Sequence, residues 1–381
     1  MKRIGVMLTA LAMVILMLPR QVHAAPAEVA AKSALLMDAA TGTILYEQNS
    51  HEKLAPASVT KVMTMLLIME AIDDGRIRWE DMVTASEAAA AKGGSQVYLK
   101  VGETMSVTDM VKSIAVSSAN DCACAMAEHL AGSEAAFVDS MNARAAELGM
   151  ADTHFVNCTG LDDGADAAMH LTSAHDIAIM SRELLVKHPD IRKFTTIWMD
   201  TIRNGTFGLS NTNKLVRFYS GATGLKTGFT ANAGYCLSAS AEREGLELIA
   251  VVMGSETSKE RFAACKSLLD YGFANYALVS PEVSDETVPV KLGTDGIVKA
   301  VPAKTPKLLI DKSQRGSVTT AIDLEESVTA PVSKGQRLGT LTVKAGEQVL
   351  AQIPLVAKAP VPKVSWGEMY GKILKMIAMG K

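Results

Sequence analysis

Strand-like segments stand at both ends of a long helix-forming stretch, and this order limits the folds open to the chain. Ser33 to Asp38 is β-prone, Ala39-Ala40-Thr41-Gly42 reads as a turn, and Thr43 to Glu47 reads as a second strand, so the pair is expected to form a hairpin. Gly221 to Thr230, Tyr235 to Ala241 and Leu246 to Met253 read as further strands, with turns at Asn232-Ala233-Gly234 and Glu244-Gly245. Between these ends the pattern is helical. A long apolar helix is predicted from Ser58 to about Asp73, and another over Met110 to Val116 behind the cap-like Ser106-Val107-Thr108-Asp109. The pattern breaks at Ser117-Ser118-Ala119-Asn120 and resumes through Leu130; Glu134 to Leu148, Leu171 to Leu185 and Ser258 to Tyr276 are also helical. Strands at the ends with helices between suit an antiparallel sheet under a helical cover, an α+β domain.

The texture changes near Pro281. Short alternating segments follow at Val288 to Leu292, Lys307 to Ile310, Val318 to Leu324, Leu338 to Val343 and Gln348 to Ile353, which predicts a small all-β domain. Ala359-Pro360-Val361-Pro362 is a stiff linker. Beyond it Trp366, Met369, Tyr370, Ile373, Leu374 and Ile377 share one helical face, with Lys372, Lys375 and Lys381 off it. That pattern suits a helix lying in a membrane surface, and also one docked on the β domain.

With 381 residues, 48% of them hydrophobic, the chain can bury a large core in two or three domains. Its net charge of −3 is spread out, which argues against a nucleic-acid partner. Lys2-Arg3, the apolar run Ile4 to Leu18 and the small residues of Val22-His23-Ala24 read as a signal peptide cleaved after Ala24, which makes the mature chain an exported protein. Cys122, Cys124, Cys158, Cys236 and Cys265 form no spaced framework and are expected as buried free thiols. The seven histidines show no ligand spacing, so no metal or other cofactor is expected.

Chemistry is suggested by three short motifs in order: Ser58-Val59-Thr60-Lys61, Ser118-Ala119-Asn120 and Lys226-Thr227-Gly228. Each is weak alone, since Ser50-His51-Glu52-Lys53 and Ser140-Met141-Asn142 match the first two patterns elsewhere. Ser50 lies in a solvated connector and Ser140 inside a continuous helix, whereas Ser58 opens a long apolar helix. Residues three apart on a helix share a face, so Lys61 can reach the Ser58 hydroxyl and, if neutral, take its proton. Burial and a second cation, which Lys226 could supply, would lower the proton affinity of Lys61. Ser118 could relay a proton to a leaving amine, and Asn120 could orient Lys61 and a substrate amide. Lys226 and Thr227 could hold a carboxylate while Gly228 lets a substrate backbone approach. Read singly, each residue also suits a plainer role: Ser58 an N-cap, Lys61 a solvated lysine, Ser118 and Asn120 a cap pair, Lys226 a surface lysine on an edge strand.

Together these residues resemble the exported D-alanyl-D-alanine carboxypeptidases, the low-molecular-mass penicillin-binding proteins. Pro56-Ala57-Ser58-Val59-Thr60-Lys61-Val62-Met63-Thr64, Ser117-Ser118-Ala119-Asn120-Asp121, Asn211-Thr212-Asn213-Lys214-Leu215 and Gly224-Leu225-Lys226-Thr227-Gly228-Phe229-Thr230 carry the likeness. The resemblance implies a penicillin-binding-protein/β-lactamase-like domain with a helical subdomain at 25–278, a β domain at 279–358, and a linker with an amphipathic membrane-anchoring helix at 359–381. It implies peripheral attachment to the outer face of the cytoplasmic membrane. It also implies Ser58, Lys61 and Ser118 as catalytic residues, and Asn120, Lys226, Thr227, Gly228 and Phe229 as substrate-binding residues. The substrate would be a peptidoglycan stem peptide, β-lactams would acylate Ser58, and the Ser58 and Phe229 backbone N–H groups would hold the oxyanion. One departure stands out: Cys158-Thr159 precedes Gly160-Leu161-Asp162 where the family often has a His before the Gly. Rival readings are a class A-like β-lactamase, disfavoured by the missing Glu-x-x-x-Asn motif, a transpeptidase or endopeptidase, and a non-catalytic envelope protein that binds stem peptides.

Overall fold

The computed structural model describes residue 26, residues 29–281 and residues 286–378. The signal-peptide segment at 1–24 lies outside them. The N-terminal hairpin and the later strands meet in one sheet. Strands β1 (Ser33–Asp38), β2 (Ile44–Gln48), β3 (Ala222–Thr230), β4 (Gly234–Arg243) and β5 (Leu246–Ser255) are arranged in the order β2-β1-β5-β4-β3, all antiparallel. Leu36 of β1 faces Ala250 of β5, and Ala239 of β4 faces Ala250 from the other side. β3, which carries Lys226, is an edge strand.

Strand periodicity divides this sheet between two cores. Leu35, Met37, Ile249, Val251 and Met253 point into one, while Ala34, Leu36, Leu248, Ala250 and Val252 point into the other. The first core holds helices α1 (Lys61–Asp73), α2 (Val107–Ser117), α3 (Asn120–Ala131), α4 (Glu134–Glu147) and α5 (Ala174–Lys187). α1 is apolar on nearly every side and runs through the middle of this core, with Val62, Met63, Met65, Leu66, Ile68 and Met69 fully buried. The second core is closed by α6 (Ser258–Asn275), whose Ala264, Cys265, Leu268, Leu269 and Phe273 lie on the sheet. Thr257 and Glu260 cap α6 with a reciprocal capping box. All five cysteines are buried and unbridged, as their scattered spacing suggests.

Several sequence boundaries move, among them the start of the helix expected from Leu171, which begins at Ala174. The helix expected from Ser58 begins at Lys61, because Ala57–Thr60 forms a separate 3-10 turn after Ala57, whose φ of 48° lies in the left-handed region. The helix expected to reach Tyr276 stops at Asn275. Tyr276–Val279 instead pairs as a short strand with Leu308–Asp311, a segment expected within the β domain's own sheet.

The C-terminal sheet contains β6 (Glu286–Lys291), β7 (Ile297–Pro302), β8 (Val318–Leu324), β9 (Val328–Thr329), β10 (Arg337–Ala345) and β11 (Gln348–Ala357), in the order β8-β10-β11-β7-β6-β9. β7 is absent from the sequence reading. Its strand alternates exposed and buried positions and ends in Pro302, so its apolar signal is short. The final helix α7 (Trp366–Ala378) presents Trp366, Tyr370 and Ile377 to solvent. Among the described residues no helix is long and apolar enough to cross a membrane.

Candidate active site

The 3-10 turn brings the first motif together. Positions i and i+3 eclipse in such a turn, so Lys61 stands against Ser58, and its Nζ donates to Ser58 Oγ at 2.9 Å. Ser58 is half-buried and makes no side-chain cap bond, whereas Lys61 is fully buried. The plainer readings of these two residues as an N-cap and a solvated lysine therefore do not describe them. Lys61 Nζ has a second acceptor, the Thr159 carbonyl at 2.8 Å. Burial brings its pKa down to about 7, against a smaller upward pull from Cys158 and Asp121. Lys226 lies close enough to Lys61 for the two amines to disfavour each other's charge. Burial lowers Lys61, and Lys61 itself helps to depress Lys226.

The turn is held by its neighbours. Thr60 Oγ1 donates to the Ala57 carbonyl at 2.8 Å and lies 2.7 Å from His170 Nε2. His170 Nδ1 accepts from the Val156 N–H at 3.0 Å, so the proton sits on Nε2 and the ring is neutral. Burial, with His154 and Lys61 nearby, brings the His170 pKa down to about 4. Gly160 has φ +81°, and a Cβ at that position would collide with the Ala57 carbonyl. Gly160 therefore lets the Thr159 segment press against the turn that carries Ser58.

The second motif sits at the break between α2 and α3. Ser118 ends α2 in the left-handed conformation with φ 63°, an uncommon state that recurs at functional sites. Asn120 starts α3, and its Nδ2 donates to the Gly93 carbonyl at 2.7 Å. Ser118 Oγ and Asn120 Oδ1 are buried with no hydrogen-bond partner among the described residues, which leaves both free to bond a bound molecule. The amide of Asn120 does not bond Lys61; Thr159 and Ser58 take that place.

β3 supplies the third motif. Lys226 is fully buried despite its edge strand, and its Nζ donates to the Thr227 carbonyl at 2.8 Å. Burial pushes its pKa well down, with Lys61 and Arg261 adding to the effect. Thr227 Oγ1 donates to Thr212 Oγ1 at 2.6 Å, and Asn213 Nδ2 donates to the Gly224 carbonyl at 2.9 Å, so the segment before the motif is fastened to β3. A Cβ on Gly228 would lie 2.7 Å from the Pro56 carbonyl oxygen and 3.1 Å from Ser58 N, closer than a side chain allows. Phe229 is 53% exposed and stacks on Tyr235 at 4.3 Å.

The structure thus gathers Ser58, Lys61 and the Lys226-Thr227-Gly228 strand into one site, with Ser118 and Asn120 at the helix break beside it. A serine hydroxyl against a buried amine of low proton affinity is equipped for nucleophilic attack on a carbonyl. Sequence reasoning missed three contributors. The Thr159 carbonyl that holds Lys61 carries no residue signature, although the departure at Cys158-Thr159 marked the segment. Asp121 is buried and accepts the Val97, Leu99 and Cys122 N–H groups, which pins α3. Arg261 donates to the Gly228 and Cys236 carbonyls at 3.0 and 3.3 Å, bracing the ends of β3 and β4. Its signal was a charge on the stripe that continues as Cys265 and Leu268.

Comparison with known proteins agrees with this geometry. The D-alanyl-D-alanine carboxypeptidase family profile matches residues 20–257, and the profile of the penicillin-binding protein 5 C-terminal domain matches residues 274–363. The chain is 45% identical to D-alanyl-D-alanine carboxypeptidase DacF of Bacillus subtilis, over 88% of this chain and 87% of that one. Its fold is similar to penicillin binding protein 5 from Haemophilus influenzae, with a TM-score of 0.74 and 30% identity over 90% of this chain and all of the other. Penicillin-Binding Protein D2 from Listeria monocytogenes, solved in an ampicillin-bound form, aligns at a TM-score of 0.60 and 32% identity, over 65% of this chain and all of its own. The chain belongs to the D-alanyl-D-alanine carboxypeptidase family, peptidase family S11.

Proposed function

We propose that this protein is a serine D-alanyl-D-alanine carboxypeptidase that removes the terminal D-alanine from peptidoglycan stem pentapeptides through a Ser58 acyl-enzyme. The observation that carries this reading is the 2.9 Å contact between Ser58 Oγ and the Nζ of a fully buried lysine whose pKa lies near the working range. Lys61 takes the hydroxyl proton as Ser58 Oγ bonds to the carbonyl carbon of the penultimate D-alanine. The resulting oxyanion is held by the Ser58 and Phe229 N–H groups, each such donor contributing about 3 kcal/mol. Collapse breaks the peptide bond, a proton passes to the leaving amine by way of Ser118, and D-alanine departs. Water then hydrolyses the ester. Lys226 and Thr227 receive the substrate's terminal carboxylate, Gly228 lets β3 lie close against the Pro56–Ser58 backbone at the substrate site, and Asn120 Oδ1 accepts from the substrate amide. β-Lactams acylate the same hydroxyl as substrate mimics.

The same reading divides the chain into a peptidase domain at 25–278, a β domain at 279–358 and a tail at 359–381. It places the mature protein, after loss of residues 1–24, on the outer face of the cytoplasmic membrane. Trp366, 89% exposed, and Ile377, 72% exposed, support an α7 that lies in the lipid surface. Removing everything after Lys363 is expected to move the protein from the membrane to the soluble fraction.

Intact-mass measurement after benzylpenicillin, with peptide mapping, tests the chemistry. One adduct on Ser58 and release of D-alanine from a diacyl-L-Lys-D-Ala-D-Ala peptide are expected. An adduct on another side chain, or an uncut peptide, overturns the reading. Rapid turnover of penicillin would favour the β-lactamase reading instead.

A further inference from the structure

A partly buried ion pair behind the site joins two loops that the mechanism needs but that share no sequence motif. Glu134, the first residue of α4, accepts from Lys92 Nζ at 2.6 Å on Oε2. On Oε1 it accepts from the Cys158 N–H at 3.3 Å and from Cys158 Sγ at 3.2 Å. Cys158 immediately precedes Thr159, whose carbonyl holds Lys61 Nζ, and the Cys158 carbonyl accepts from Thr64 Oγ1 on α1 at 2.6 Å. Lys92 immediately precedes Gly93, whose carbonyl holds Asn120 Nδ2 at 2.7 Å, and the Ser95 carbonyl accepts the Asn120 N–H at 2.7 Å. Gly94 packs so closely that a Cβ on it would lie 2.8 Å from Asn120 Nδ2 and 3.2 Å from Leu161. One carboxylate therefore fastens the loop that orients Lys61 to the loop that orients Asn120.

The pair is built to stay charged. Burial opposes the Glu134 charge, but the Lys92 ammonium and the Cys158 donors hold its pKa below the usual range. Burial likewise opposes the Lys92 charge, and Glu134 more than offsets it, keeping the pKa raised. The position of Glu134 in the first turn of α4, behind the Ser133 cap, adds a favourable helix dipole. The described acidic and thiol groups around it are Cys124, whose Sγ lies 3.9 Å from Glu134 Oε2, Cys158 and, through Cys124, Glu128.

We propose that Glu134 and Lys92 are positioning residues for the acyl-transfer site, a single brace that sets the Thr159 carbonyl on Lys61 and the Gly93 carbonyl on Asn120. The inference rests on the Ser58 acyl-enzyme reading. Loss of the brace loosens the Thr159 shelf, admits water to Lys61 and lets its proton affinity rise. The charged and titratable groups facing Lys61 are Asp121 on α3, Cys158 on the shelf, His170 and, on β3, Lys226.

The test uses the full chain carrying Glu134→Gln, Lys92→Met or both, with the exposed Asp139→Asn on the same helix as a control. Benzylpenicillin acylation of wild type at Ser58 comes first; if it fails, the acyl-enzyme reading fails and the brace with it. With wild type acylated, each single variant is expected to lose about 10-fold or more in acylation rate and in kcat on the diacyl tripeptide, with KM changed less than about 2-fold. The acid limb of the rate profile is expected to move to higher pH by about half a unit or more. The double variant is expected to be no worse than the poorer single, because the two residues act as one unit. A direct field effect of the lost carboxylate would move the acid limb to lower pH. That outcome, or a lowered Tm with rate and pH limb unchanged, overturns the proposal. Should Glu134→Gln not fold, Lys92→Met, whose side chain is partly exposed, carries the acylation-rate, kcat and KM readouts.

Discussion

The two sheets of this protein differ in what they bury. Around the five-stranded sheet, Lys61, Asp121, Lys226 and Arg261 are all buried, together with Ser118, Asn120 and His170. In the six-stranded sheet the buried side chains are apolar throughout: Val288, Val298, Leu338, Leu341, Val343, Ile353 and Leu355 form its core, and no buried polar side chain occurs among the described residues beyond 286. Burying a charge is costly unless it is paired, so a stretch that does so repeatedly is under a constraint other than stability. Here that constraint is a hydroxyl, two amines and a set of carbonyl acceptors that must meet at hydrogen-bond distance. The C-terminal sheet buries an apolar core and no polar side chain among the described residues.

The sharpest test of that contrast is Ser58→Ala. Acylation by benzylpenicillin and D-alanine release are expected to fall about 10⁴-fold or more, read by mass spectrometry and chiral amino-acid analysis. A labelled Ser58→Ala protein would place the chemistry elsewhere. The pH profile comes next. In the proposed mechanism Lys61 takes the proton only when neutral, and burial brings its pKa down to about 7, so acylation should level off above that value. Below it, the rate should drop about tenfold for each pH unit as the ammonium form takes over. A flat profile between pH 5 and 8 would remove Lys61 as the base.

Stability tests separate the regions further. Gly160→Ala forces a side chain onto the Ala57 carbonyl in a left-handed conformation. It should cost about 3 kcal/mol in the peptidase domain and depress acylation with it. Leu341→Ala, at a fully buried site of the second sheet, should cost about 2–5 kcal/mol there while acylation stays within about twofold of wild type. If Leu341→Ala slowed acylation as much as Gly160→Ala, the two regions would not be energetically separate. Smallest of all is Arg315→Ala. It removes the solvent-exposed Arg315–Glu244 pair, and no measurable change in Tm or acylation is expected.

Much of the scaffold was legible from periodicity. β1 and β8 match their predicted spans, Ser33–Asp38 and Val318–Leu324, because each is a short β-prone run beside turn residues, Ala39 to Gly42 after β1 and Gly316-Ser317 before β8. Where tertiary contacts override local pattern, boundaries slip. The helical pattern in sequence runs to Tyr276, but Tyr276–Val279 finds a strand partner at Leu308–Asp311, and β7 is recognisable only once β6 and β11 flank it. For the site, the three motifs were legible in the sequence, and the structure sets Lys61 against Ser58. Less legible were the groups packed around them: the Thr159 and Gly93 carbonyls, Glu134, Lys92 and Arg261. A backbone carbonyl is the same in every residue, and a lone Glu or Lys on a helix or loop has no spacing signal.

Sequence alone picked out Ser58 and Lys61 as a candidate pair, because a helical turn brings residues three apart into contact wherever it occurs. It determined the family as well, through three motifs in order. Only the tertiary structure decided that Lys61 and Lys226 are shut away from water and so have depressed pKa values. Desolvation is a property of everything packed around a group, and segments from residue 57 to residue 261 contribute to it here.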